Sequence, residues 1–158
     1  MTDDNSGERP LKNLITEAQE GRMSVTLKPE EFVNIDRDCI RFLDLIDAMR
    51  RKAEAIGDTE PKNWGLGADN PLLTSAQTLV ARFREKGKNA PDKNDVYSIL
   101  EENYKIIEDI QTVHKIILDR YMQADTAFAD AVRQYEGSLG APAPIEGKPR
   151  QPGVTAYL

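Results

Sequence analysis

Few side chains in this sequence are of a type that carries a reaction. The only histidine is His114 and the only cysteine is Cys39. Histidine titrates near neutrality and serves as a general base. No Ser or Cys stands beside it in a recognisable nucleophile motif, so the ring reads as a packed or surface residue. One Cys and one His can build neither an internal disulfide nor a closed zinc site. Cys39 falls in an apolar heptad seam and reads as a small core residue. Glu101, Glu102, Glu108 and Asp109 are clustered, but the sequence holds no Glu-x-x-His of the kind that di-iron bundles use. Gly65-x-Gly67 lacks a preceding strand and a third glycine, so it is not a dinucleotide loop. The expectation is no catalytic residue, no metal, no cofactor and no enzyme.

Two groupings survive. Trp64-Gly65-Leu66-Gly67 contains the only tryptophan. Its plainest reading is an indole that plugs one end of a helical bundle, with glycines permitting a sharp turn. Tyr121-Met122-Gln123-Ala124-Asp125 places ring and carboxylate at i, i+4, one turn apart on a helix. Tyr97/Glu101 and Tyr104/Glu108 repeat that spacing, so the spacing alone is unspecific.

Composition narrows the classes further. The chain has 158 residues, enough for one domain, with 39% hydrophobic and 30% charged residues. Its formal net charge of −6 disfavours general nucleic-acid binding, which needs clustered cations on phosphates. Arg50-Arg51-Lys52 reads as a basic last helical turn, and Arg82, Arg84, Lys86 and Lys88 as another. Neither run has the interleaved aromatics of a single-strand binder. No apolar window is long enough for a membrane span, and no Sec-type signal peptide is legible.

Periodicity then supplies the elements. A helix is expected at 29–56, opened by Pro29 and stopped by Gly57. Phe32, Ile35, Cys39, Phe42, Ile46, Met49, Ala53 and Ile56 repeat at spacings of three and four, an unbroken a/d seam. A shorter helix is expected at 71–86, with Leu72, Ala76, Leu79 and Phe83 on one face. Asp92 is a candidate N-cap for a third helix at 93–135, which contains neither Gly nor Pro. Residues 1–23 read as a flexible arm, with Met23 an alternative start, and 138–158 as a flexible Pro/Gly-rich tail. The 24–137 domain is therefore all-α, a long antiparallel helical hairpin with a shorter inserted helix.

The third helix carries two apolar stripes. Val96, Ile99, Ile106, Ile110, Val113 and Ile117 lie on one. Leu100, Tyr104, Ile107, Leu118, Tyr121, Phe128 and Val132 lie on the other, which is assigned here to a partner. At 1.5 Å per residue this helix exceeds the first by roughly 22 Å, so part of it would overhang the hairpin. Leaving a stripe in water forfeits about 1.5–3 kcal/mol for each large aliphatic side chain. A partner chain completing a four-helix-type bundle removes that deficit.

The order of parts resembles the WxG-motif and Esp-type substrates of actinobacterial type VII (ESX) secretion systems. Val25 to Phe32 looks like the opening of their first helix. Asn63-Trp64-Gly65-Leu66-Gly67 is similar to their Trp-Gly turn, although the glycines stand one and three positions after Trp64. Tyr121 to Asp125 looks like their export signal. The resemblance covers roughly residues 24–137. It implies a dimer, either with itself or with a related hairpin protein. It also implies recognition by the secretion ATPase and export to the cell surface or medium without membrane insertion. The alternative is a cytosolic helical-bundle chaperone, adaptor or immunity-type partner of a secreted effector. Both readings predict a dimer or larger when the mass of the purified chain is measured in solution; a stable monomer contradicts both.

Overall fold

The computed structural model describes residues 9–143 and is all-α over that range. Five helices follow in order: α1 (Lys12–Gln19), α2 (Pro29–Asp58), α3 (Thr74–Gly87), α4 (Val96–Ala124) and α5 (Thr126–Ser138). A single 3-10 turn, Pro61–Trp64, lies between α2 and α3. The part of the Pro/Gly-rich tail at 144–158, and residues 1–8 of the N-terminal arm, lie outside the described residues.

Helix α2 starts as expected, with Pro29 in its first turn and the Lys28 N–H donating to Glu31 Oε2 at 2.7 Å. It does not stop at Gly57. It runs on to Asp58, and Gly57 is buried within it. The reason is a close crossing with α3. A Cβ on Gly57 would lie 2.8 Å from Lys88 Cβ, and one on Gly87 would lie 2.8 Å from Ile56 Cγ2 and 3.0 Å from the Ala53 carbonyl oxygen. Both glycines serve helix approach rather than termination. Arg84 Nε donates to the Gly57 carbonyl at 2.9 Å and satisfies part of the α2 end. Arg50, Arg51 and Lys52 therefore sit inside the helix, not in its last turn.

Helices α2 and α4 lie antiparallel, which the cross-links fix. Asp36 near the α2 start accepts from Gln111 Nε2 at 2.8 Å and pairs with Lys115 at 3.3 Å. Near the α2 end, Arg50 bonds to Glu101 and to the Tyr97 hydroxyl, with its guanidinium 5.2 Å from the Tyr97 ring centroid and 5.4 Å from that of Tyr104.

The helix expected at 93–135 is two helices. Asp95, not Asp92, is its N-cap, while Asp92 accepts from the Asn94 N–H in a tight turn. The chain then breaks at Asp125, whose extended backbone (φ −136°, ψ 110°) and side chain cap α5 by accepting the Phe128 N–H at 3.1 Å. Helix α5 turns back onto α2 and α4 instead of overhanging them. With 30 and 29 residues, α2 and α4 match in length, so the expected excess disappears.

The expected loose arm is also different. Residues 12–19 form a helix that packs on α4, with Ile15 and Ala18 buried. Buried Asp109 of α4 receives the Leu11 N–H at 2.9 Å and an ion pair from Arg9 at 2.9 Å. The Arg120 guanidinium donates to the Gln19 carbonyl.

Asp95 is buried and ionised. Burial works to raise its carboxyl, but the Ser98 N–H at 2.8 Å, the Ser98 hydroxyl at 2.9 Å, the Ala90 N–H at 3.1 Å and the charge of Lys86 hold it below its ordinary value. A depressed folded-state value means that its stabilisation is complete above the unfolded value of about 3.9 and fades as pH falls through the folded one. Asp95→Asn should cost about 1 kcal/mol at pH 7 and flatten the loss of stability below about pH 4, as read by urea unfolding across pH.

Candidate interaction surface and signal region

The side chains assigned to a partner are engaged within the chain. Leu118, Tyr121 and Phe128 pack around the buried core of Phe32, Ala18 and Ile117. Tyr104 takes Arg50 against its ring, and Val132 is buried. Leu100 and Ile107 are half-buried. Within the chain this stripe packs toward α2, with Phe128 and Val132 carried by α5 itself. Two stripes on one helix look alike in sequence, and the α2 cross-links decide which one faces inward.

The open stripe is the other one. Val96, Ile99 and Ile110 are exposed on α4. On α2, Phe42, Met49 and Ile56 are exposed at a strict seven-residue spacing, which puts them on one face. Cys39, Ile46 and Ala53 of the same seam are buried, so the seam is divided between core and surface. Met49, Ala53, Ile56, Phe83, Gly87 and Val96 line an apolar cleft of about 350 Å³, with Lys52 and Lys86 beside it.

The face expected for the shorter helix is turned outward. Leu72 is 86% exposed and precedes the helix, and Leu79 and Phe83 are exposed on it. Its buried residues are Val80 and Gly87. Trp64 is half-buried and stacks on Phe83, with centroids 5.8 Å apart and planes at 19°, while its Nε1 donates to the Thr59 carbonyl at 3.3 Å. Thus it packs between the end of α2 and the side of α3. Gly65 and Gly67 both have positive φ, at 67° and 70°, so the turn does require glycine at these two positions.

Tyr121 and Asp125 do not share the face of one helix, because the helix ends between them. Tyr121 is half-buried, with its ring centroid 5.8 Å from Phe32 and 5.5 Å from Phe128. Asp125 is exposed at the cap of α5. Both lie at the α4 end that carries the α2 start, opposite the Trp64 turn.

His114 is a core residue. Its Nε2 meets the Phe32 carbonyl at 2.8 Å, and its ring lies 4.8 Å from that of Phe32. The carbonyl it takes belongs to the first turns of α2. Asp109 went unnoticed as an anchor, although one signal was legible. It stands three residues after Ile106 and four before Val113, an acidic side chain beside an apolar stripe.

No family model, no curated protein and no solved structure matches this chain. Among the described residues, no helix is long and apolar enough to cross a membrane.

Cys39 is buried, and that burial, with Asp36 and Asp38 nearby, pushes its thiol above the ordinary value against the opposing effect of Lys115. A thiol reagent at neutral pH should leave the folded protein unlabelled and add one equivalent on unfolding, read by mass. Rapid labelling of the folded chain would contradict the burial.

Proposed function

We propose that this protein is a substrate or secretion-associated member of a type VII (ESX) system that acts by helix–helix association rather than by turnover. The observation that supports this most is the open apolar face on a long antiparallel hairpin, Phe42, Met49 and Ile56 with Val96, Ile99 and Ile110. Such a face on a hairpin is buried by a second hairpin, from another copy or a related protein.

The ends of the hairpin give the reading its second support. Trp64 lies at one end, and Tyr121 with Asp125 at the other. An antiparallel partner would bring the turn of one chain beside the Tyr/Asp pair of its neighbour. That composite end is what the secretion ATPase would read, with export to the cell surface or medium to follow.

A specific observation favours the alternative, a cytosolic chaperone, adaptor or immunity-type bundle. Tyr121 fills the Phe32 cluster and Asp125 caps α5, so folding alone accounts for both residues.

Two conservative variants separate signal from scaffold. Tyr121→Phe keeps the ring, and Asp125→Ser keeps an N-cap oxygen, so each should change stability by no more than about 0.5 kcal/mol. If the pair is an export signal, both variants accumulate in the cytosol and vanish from the medium. Undiminished export of both, or a wild-type chain confined to the cytosol, selects the alternative.

A further inference from the structure

The outward stripe of α4 is treated differently along its length. Val96, Ile99 and Ile110 are exposed, whereas Ile117 is 4% exposed. The difference is made by α1 and the segment after it together with Phe32 of α2, which packs with Ala18 and Ile117 in the buried core. Leu11, Leu14, Met23 and Val25 line a small pocket together with Ile110 and Ile117.

Helix α1 is the least self-sufficient element of the fold. It has eight residues, too few to hold a helix in water, and no side chain caps its start. It buries only Ile15 and Ala18, and Leu14 stays partly exposed. Among the helices its backbone approaches α4 alone. Polar contacts fasten both ends: Asp109 takes the Leu11 N–H and Arg9 at the start, and Arg120 holds the Gln19 carbonyl at the finish. Gly21 follows at a φ of 75°, and Met23 and Val25 beyond it stay against α4.

We infer that α1 is an intramolecular strap over one part of the docking face, latched by Asp109, and that its release adds the Ile110 and Val113 stretch of α4 to the face open to a partner's amphipathic helix. The α1–α4 contact itself specifies that occupant. Leu11, Ile15 and Ala18 repeat at spacings of four and three, and a partner helix with the same apolar spacing continues or replaces the contact. The identity of the incomer rests on the association reading above; the strap does not.

Hydrogen exchange on the full-length chain tests the strap. Asp109→Ala should lower the protection of the Ile15–Gln19 amides by at least about tenfold while the α2 amides keep theirs. The same variant should raise the emission of an apolar fluorescent dye severalfold. Unchanged α1 protection would overturn the inference. So would an equal loss in α2, which would make α1 integral core, and so would release of α1 without added dye emission. Should Asp109→Ala fail to fold, Arg9→Ala, at an exposed position, supplies the same readouts with a smaller shift in the same direction; no shift there overturns the latch. Normal export of the Asp125→Ser and Tyr121→Phe chains would remove the secretion reading and leave the strap standing.

Discussion

The burial of one ring, Phe32, is the constraint on which the rest of the fold depends. It is fully buried in the first turn of α2. Ala18 of α1, Ile117 and Tyr121 of α4 and Phe128 of α5 pack into the same cluster, so four of the five helices meet at one place. His114 adds a directional bond to the Phe32 carbonyl, and that bond gives the buried ring nitrogen its partner. A ring in this position contributes both buried area and edge-to-face contacts, the latter with Phe128 at 84°. Without it the fold-back of α5 and the docking of α1 would each lose their common floor.

The break at Asp125 is what lets that cluster form. An unbroken helix to Tyr135 would carry Phe128 and Val132 past the end of α2 and into water. A single extended residue, capped by its own carboxylate, returns them to the core. The same residue is the acidic half of the Tyr-x-x-x-Asp grouping. The proposed signal therefore falls on the same two side chains that packing and capping use, and only variants that preserve the packing can tell the two roles apart.

Much of the architecture was legible from residue order. Pro29 opens α2, the three-four spacing from Phe32 to Ile56 predicts a long helix, and the absence of a strand pattern predicts an all-helical chain. The errors have local causes. Gly57 and Gly87 look like stops, because sequence shows a missing side chain but not the neighbour that needs the space. Asp125 sits in a run without Gly or Pro, and a cap is invisible until the backbone leaves the helix. The two stripes of α4 are equally apolar, so only Asp36, Gln111, Arg50 and Glu101 reveal which one faces α2. Helix α1 is weak by propensity and is fixed by Asp109, almost a hundred residues away in sequence. The Tyr-x-x-x-Asp grouping was legible as spacing alone; the packing of Tyr121 on Phe32 and the capping role of Asp125 were not.

The place of the single indole has a consequence for watching this molecule in solution. Trp64 rests on Phe83 at the end of α2 that lies roughly 40 Å from Phe32. Its intrinsic ultraviolet emission therefore monitors the seating of α3 and is blind to the aromatic cluster at the opposite pole. The tyrosines 121 and 135 stand at that other pole, while Tyr97 and Tyr104 lie beside Arg50 nearer the indole, so near-ultraviolet dichroism sums both neighbourhoods and tryptophan emission reports one of them. Whether the two poles melt together or one after the other can be read from the unlabelled chain.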